Sequence, residues 1–344
     1  MSKGSEDRPD DGARPWPALR WITFLAVAAS LAWFLAAPFV IAYLSADLLH
    51  VDWTTYANAA TRFLNGEPLY SAVQLELQYR GVDVVKTGFL YPPPAVLVFV
   101  AALPFGPAPW TLLNATILGI GILAATRQRL WIGVIALVFL SISRPYLEGA
   151  QIGNVNVGLA GLVAWSWALG RRQAISVLAA LAGIVKVFPG FLVAWPKPLR
   201  RSIAMTAATS AVVVLVTLPL VGIGSWLDYV AAARYLAPTC EMTISPIACS
   251  LGKPATILLA VSLVAAATIA RHDLLAYGLI VAGMLVVQFE VFPHSQLFLF
   301  VLIVIAGSAV AEDFARRYRR PLATSSRIHG ITSSSIDSRD VVAS

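Results

Sequence analysis

The chain carries no charged residue between Trp21 and Tyr43. About 20 consecutive apolar residues suffice for an α-helix to cross the hydrocarbon core of a bilayer. Further uncharged runs cover Thr111–Thr126, Leu130–Ser143, Val155–Leu169, Ile203–Gly222, Ala255–Ala270, Leu274–Gln288 and Leu297–Ala311. A soluble core has no use for so many such stretches. Hydrophobic residues make up 58% of the 344 residues and charged ones 12%, against roughly 25% charged in ordinary soluble domains. The pattern predicts an all-α polytopic membrane protein of about ten membrane segments, the shorter runs forming tilted or broken helices. The first run lacks a short apolar region with a small-residue cleavage site, so we read it as a retained helix and not a signal peptide.

Charge then orients the bundle. The formal net charge of +7 sits in short basic patches beside the apolar runs. This is the positive-inside pattern and not a nucleic-acid surface. Arg14 and Arg20 place the N-terminus inside; Arg316, Arg317, Arg319 and Arg320 place the C-terminus inside as well. Residues 1–19 are expected to be a disordered cytoplasmic arm, 20–316 the membrane domain and 317–344 a disordered cytoplasmic tail. The outer loops fall at about 44–93, 144–156 and 223–254. Ala174–Trp195 has basic residues on both flanks, Arg171 and Arg172 before it and Lys197, Arg200 and Arg201 after it. A hairpin of two short helices, broken near Lys186 and Pro189, satisfies both flanks. Pro104, Pro107 and Pro109 similarly interrupt Tyr91–Thr126.

The first outer loop is the most informative. Trp53, Tyr56, Ala60, Phe63 and Leu64 recur at helical spacing after Asp52, predicting a short interfacial helix with its aromatic residues at headgroup depth, stopped by Gly66. Asp52 lies just before the first turn, where a carboxylate caps the helix amides or serves as a general base at the membrane surface. Lys186, within apolar sequence, must pair, face a cavity or snorkel to the cytoplasmic headgroups. Arg144 and Glu148 have the i, i+4 spacing of an ion pair; alternatively Arg144 lines a phosphate site. Tyr91-Pro92-Pro93-Pro94 fixes how the second membrane segment begins. Cys240 and Cys249 either close a small loop in an oxidising compartment or remain two free thiols. No His/Cys cluster has metal-ligand spacing, and there is no phosphate-binding glycine loop.

Several of these segments together resemble glycosyltransferase family 87, GT-C-type mannosyltransferases that use polyprenyl-phosphate-mannose. The resemblance rests on Asp52-Trp53, Tyr56, Leu64, Gly66 and Pro68-Leu69-Tyr70, then Phe89-Leu90-Tyr91-Pro92-Pro93-Pro94. It continues through Gly149–Val157, similar to a Gly-Gln-x-Asn element, and through Ala182–Gly190 with Lys186 and Pro189, and ends at Pro293-His294. It implies a GT-C-like bundle with Asp52 as the catalytic aspartate of the first outer loop. It also implies that His294 lies near the donor phosphate and that Gln151, Asn154 and Tyr56 belong to the substrate site. Arg144 and Lys186 are the further cations available to a phosphate. The implied reaction moves a hexose, mannose by preference, from a polyprenyl-phosphate donor to a hydroxyl of a lipid-linked or periplasmic glycan. No cofactor is expected, and a leaving group that is already one phosphate does not demand a metal. The site would face outward from the inner membrane. Two rivals stand beside this reading. A transporter predicts ionisable residues at mid-span and paired halves; a non-catalytic membrane scaffold keeps the loops without turnover.

Overall fold

The computed structural model describes residues 17–45, 50–70, 89–235, 246–288 and 293–328, and among them every regular element is helical. Helix α1 spans Pro17–Ser45, α2 Val51–Leu64, α3 Ala95–Ala102 and α4 Pro107–Ala125. After a 3-10 turn at Arg127–Arg129 come α5 (Leu130–Ser141), α6 (Arg144–Gln151), α7 (Asn156–Leu169) and α8 (Ala174–Val185). A 3-10 segment at Phe188–Ala194 leads to α9 (Leu199–Tyr235), α10 (Pro246–Ile269) and α11 (Asp273–Val286). A further 3-10 turn, Pro293–Gln296, opens α12 (Leu297–Ile328). The uncharged runs of the sequence coincide with α1, α4, α5, α7 and α9–α12. Helix α12 continues past residue 316, where the membrane domain was expected to end.

Among the described residues five helices are long and apolar enough to cross a membrane, six if Arg127–Ser141 and Arg144–Gln151, bent by 65°, form one span. Four further helices, Ala95–Phe105, Asn156–Leu169, Ala174–Val185 and Asp273–Val286, are apolar but shorter.

Helices α4 and α7 form the tightest contact and run parallel. Asn114 meets Gly158, and one turn further Ile117 meets Gly161. A Cβ at Gly161 would lie 2.6 Å from the Ile117 carbonyl, and one at Gly121 would lie 2.6 Å from the Gly161 carbonyl. Small residues at facing positions let two backbones approach this closely within a bilayer, where packing and not water exclusion holds helices together. Helix α1 braces the other flank. Tyr146 of α6 donates to the Phe34 carbonyl at 2.7 Å and stacks on the Phe34 ring at 4.1 Å.

The segment 174–195 is a hairpin, as both of its flanks require. Helix α8 stops at Val185 and Lys186 is extended (φ −150°, ψ 127°). The returning limb is the 3-10 segment containing Pro189. The two ends meet again where Gln173 Nε2 donates to the Lys197 carbonyl at 2.9 Å. The tip therefore points away from the basic flank.

Within the expected outer loop at 223–254, the described residues are helical. Helix α9 breaks at Gly222 (φ 73°, ψ 153°) and resumes to Tyr235, and α10 likewise breaks at Gly252 (φ 75°, ψ 164°). Glycine enters this left-handed region without steric cost, so the chain turns sharply and helix re-forms on both sides. The Tyr229 ring beyond the first break lies 6.0 Å from that of Tyr70. Cys240 and the side chain of Cys249 lie outside the described residues.

The close α4–α7 approach yields a paired expectation. Gly161→Ala should destabilise the protein by roughly 1–3 kcal/mol, the usual cost of overpacking. Gly307→Ala, where an added Cβ meets nothing within 4 Å, should be neutral or slightly stabilising through helix propensity. Thermal unfolding in detergent checks both; equal melting temperatures for the two variants would contradict the packing.

Candidate active site

Helix ends leave backbone groups unpaired, N–H at the N-terminus and C=O at the C-terminus. Here two helices solve that problem for each other. Helix α6 ends in the carbonyls of Gln151, Ile152 and Gly153, and α2 begins against them. The His50 amide donates to Gln151 O at 2.6 Å, and those of Asp52 and Trp53 donate to Ile152 O at 2.9 and 3.2 Å. Trp110 Nε1 of α4 takes Gly153 O at 2.8 Å, and Thr111 Oγ1 reaches Ala150 O at 3.2 Å. Gly153, with φ 75°, makes the turn, and a Cβ there would sit 3.1 Å from the Trp53 Cβ. His50 is the one non-glycine residue with positive φ (67°) among the described residues. Its left-handed backbone swings the chain into α2, a strained conformation that persists only where the surroundings impose it.

This docking changes the role of Asp52. The residue capping α2 is His50, so Asp52 lies inside the first turn and not before it. The turn's amides are already engaged by α6 carbonyls, and the carboxylate has no capping duty. Instead Asp52 Oδ2 accepts a hydrogen bond from Asn154 Nδ2 at 2.5 Å. The orientation of the Asn154 amide is not arbitrary. Its Oδ1 accepts the Asn156 backbone N–H at 2.7 Å, and a backbone N–H can only donate, so Nδ2 must turn to Asp52.

The same logic runs one residue further. Asn156 Oδ1 accepts from the Lys186 ammonium at 2.9 Å, and Asn156 Nδ2 faces Ser295 Oγ at 3.4 Å. Lys186, Asn156, Asn154 and Asp52 thus form one polar chain, drawn from the hairpin tip, the start of α7 and the start of α2. The hairpin carries Lys186 to the Asp52 end, where its ammonium is held by Asn156. Its ammonium also lies 5.7 Å from the Tyr91 ring centre and 5.6 Å from that of Phe188.

Burial raises the Asp52 pKa above the ordinary carboxylate range, the Asn154 hydrogen bond and the Lys186 charge pull it back, and Glu148 pushes it up. On the aromatic face of α2, Trp53 and Tyr56 are buried against protein. Tyr56 stacks on Phe99 at 4.3 Å, and its hydroxyl lies 2.8 Å from that of Tyr91. The Tyr70 hydroxyl in turn donates to the Tyr91 carbonyl.

Of the remaining expected residues, His294 is buried, 4% exposed, and packs on α6 where Gly149 leaves room; a Cβ at 149 would meet the His294 Cβ at 2.8 Å. Lys186 is within electrostatic reach of both Asp52 and His294. Arg144 pairs with Glu148 at 3.2 Å, and its side chain is 82% exposed, so it lies at the rim. Gln151 contributes its carbonyl to the α2 dock. Sequence reasoning missed Asn156, Ser295 and the left-handed His50. Asn156 stands within the quoted Gly149–Val157 element, but nothing in its spacing signals a link to Lys186. Among the described residues no three His, Cys, Asp or Glu side chains are grouped to hold a metal ion.

A half-buried carboxylate with one oxygen held by a fixed amide and a cation three hydrogen-bond links away can accept a proton. The fixed amide can be tested without turnover. Asn154→Asp sets two carboxyls at hydrogen-bond distance, and such pairs hold a shared proton to raised pH. A folded pKa above the unfolded one stabilises at acid pH and loses that stability as pH rises. Relative to the unsubstituted protein, this variant should therefore melt progressively earlier from acid to neutral pH. Asn154→Ala leaves the Asn156 amide unpaired and should cost about 1–3 kcal/mol with a much flatter pH dependence. Parallel pH–melting curves for the two variants would contradict the contact.

The sequence model of glycosyltransferase family 87 matches residues 89–332. No curated protein and no solved structure matches the chain. The matched span begins after Asp52 and takes in the α6–α7 elbow with Asn154 and Asn156, the Lys186 hairpin and His294. On a match over most of its length, the chain belongs to glycosyltransferase family 87.

Proposed function

We propose that this membrane glycosyltransferase moves a hexose, mannose by preference, from a polyprenyl-phosphate donor to a hydroxyl of a lipid-linked or periplasmic glycan, with Asp52 as general base. One observation carries the assignment. The Asp52 carboxylate is freed from helix capping, aimed by Asn154, and raised in proton affinity by burial. A base is most effective when its pKa approaches the working pH.

The step is a single displacement. The acceptor oxygen attacks the anomeric carbon, its proton passes to Asp52, and the bond from that carbon to the phosphate oxygen breaks on the opposite face. The leaving polyprenyl phosphate carries away the electron pair. Positive charge and fixed donors placed where that charge develops lower the barrier. Lys186 at the hairpin tip and His294 at the head of α12 are the groups we assign to it. Arg144, exposed and paired with Glu148, has a rim role.

We place this end of the bundle on the extracytoplasmic side, with both termini inside. Arg127, Arg129, Arg171, Arg172, Lys197, Arg200 and Arg201 flank the far ends of α4 and α7 and the near ends of α8 and α9, opposite Asp52. That is the distribution the positive-inside rule gives to a cytoplasmic face. A transporter is less well supported, because the polar chain gathers at one end of the helices and does not line a path through them.

The test is transfer of radiolabelled mannose from polyprenyl-phosphate-mannose in membranes overproducing the protein. Asp52→Asn keeps an oxygen to accept from Asn154 and leaves the α2 amides on their carbonyls. Its melting temperature should be unchanged while transfer falls by roughly 10²–10⁴-fold, the scale of a lost general base. Near-native transfer by Asp52→Asn would remove Asp52 from the chemistry; no transfer by the unsubstituted protein would overturn the donor assignment.

A further inference from the structure

Helices α4, α7 and α12 all start at the Asp52 end, at Pro107, Asn156 and Leu297, and run parallel to a second polar feature. Between their far ends lies a cavity of about 310 Å³ lined by Arg127, Gln128, Trp167, Leu169, Arg172 and Glu312, among others. The 19 residues of α4 span about 28 Å at 1.5 Å per residue, close to the roughly 30 Å hydrocarbon thickness of a bilayer. The cavity therefore sits at the opposite membrane interface, one bilayer core away from the Asp52 site, and takes no part in that chemistry.

Its walls are of two kinds. One side is apolar, from the ends of α4 and α7 with Leu169 and the indole of Trp167, a residue type enriched at membrane interfaces. The other is cationic. Nearby Arg171 is already committed, donating to Asp273 at 2.6 and 3.0 Å and lying 4.7 Å over the Trp195 ring. Arg127 and Arg172 are exposed, and among the described residues neither makes an ion pair. The one acid in the lining, Glu312, pairs with Arg316 one turn along α12, so its charge is offset from within its own helix. Two uncommitted guanidinium groups above an apolar wall match a phosphate headgroup whose acyl chains continue into the bilayer, since the guanidinium fork grips phosphate oxygens. Basic pockets between membrane helices take anionic headgroups in this way.

We propose that this cavity binds the headgroup of an anionic phospholipid in the leaflet opposite the Asp52 site. The proposal rests on the helices crossing the bilayer and not on the transfer reaction, and its readout is lipid retention.

The full chain in nonionic detergent is titrated with phosphatidylglycerol or phosphatidylcholine and bound lipid is counted by native mass spectrometry. Phosphatidylglycerol should bind well ahead of phosphatidylcholine, and Arg127→Gln with Arg172→Gln should weaken it by roughly tenfold or more, given the contribution of each basic residue near an anionic surface. Arg200→Gln with Arg201→Gln removes the same charge at the same end but outside the cavity, and should leave binding unchanged. Equal binding of the two lipids, or an equal loss in both double variants, would overturn the site. Displacement of phosphatidylglycerol by an equal concentration of inorganic phosphate would assign the arginines to free phosphate and overturn the lipid proposal.

Discussion

The site depends on the meeting of two helix ends. The C-terminal carbonyls of α6 and the N-terminal amides of α2 are groups that each helix leaves unpaired, and in a poorly hydrated setting an unpaired backbone group is costly. Joining them satisfies both and opposes the partial charges of the two helix termini favourably. Because Ile152 O already serves the Asp52 and Trp53 amides, the Asp52 side chain is not drawn back onto its own helix. Because Gly153 turns the chain immediately afterwards, Asn154 arrives beside that carboxylate. The orientation of the amide, the position of the base and the burial of Trp53 all follow from this one join.

The second constraint is electrostatic. A lysine at the centre of a bilayer costs roughly 2.5–3.5 kcal/mol by insertion measurements, and a straight helix through residues 174–195 would leave Lys186 there. Folding the segment back on itself puts Lys186 at a tip, where its ammonium donates to the side-chain Oδ1 of Asn156. The break in α8, the extended backbone at Lys186 and the 3-10 return are thus the structural counterpart of moving a charge to the polar end. The hairpin returns the chain to the end it left, so its two basic flanks lie together.

Which features could be read from the sequence follows from the range over which each interaction acts. The helical runs are local in composition, and Leu130–Ser143, for instance, reappears as Leu130–Ser141. The hairpin break near Lys186 was legible because charge on both flanks is a parity condition. The resemblance at Asp52, Asn154, Lys186 and His294 named residues that the fold does gather at one end. The capping role of Asp52 was misread because spacing shows where a helix starts but not that another helix's carbonyls already hold its amides. Periodicity likewise identified the buried face of α2 but not whether protein or headgroups cover it. The helical stretches just after Gly222 and just before Gly252 fell within an expected loop, because their composition interrupts the apolar runs on either side. Asn156 and Ser295 gave no local signal; they matter only through partners far away in the chain.

The central claim is that Asp52 is a base whose proton affinity is set by burial and by two charged neighbours of opposite effect. The most direct test is the acid limb of the pH–rate profile for sugar transfer, which reports protonation of the essential base. Burial raises the Asp52 pKa, so the limb should lie above the ordinary carboxylate range. Glu148 raises that pKa further and Lys186 lowers it. Glu148→Gln should therefore move the limb to lower pH, and Lys186→Gln, in whatever transfer remains, should move it to higher pH. Limbs that stay in place, or that shift in the same direction in both variants, would contradict the assignment of Asp52 as the base.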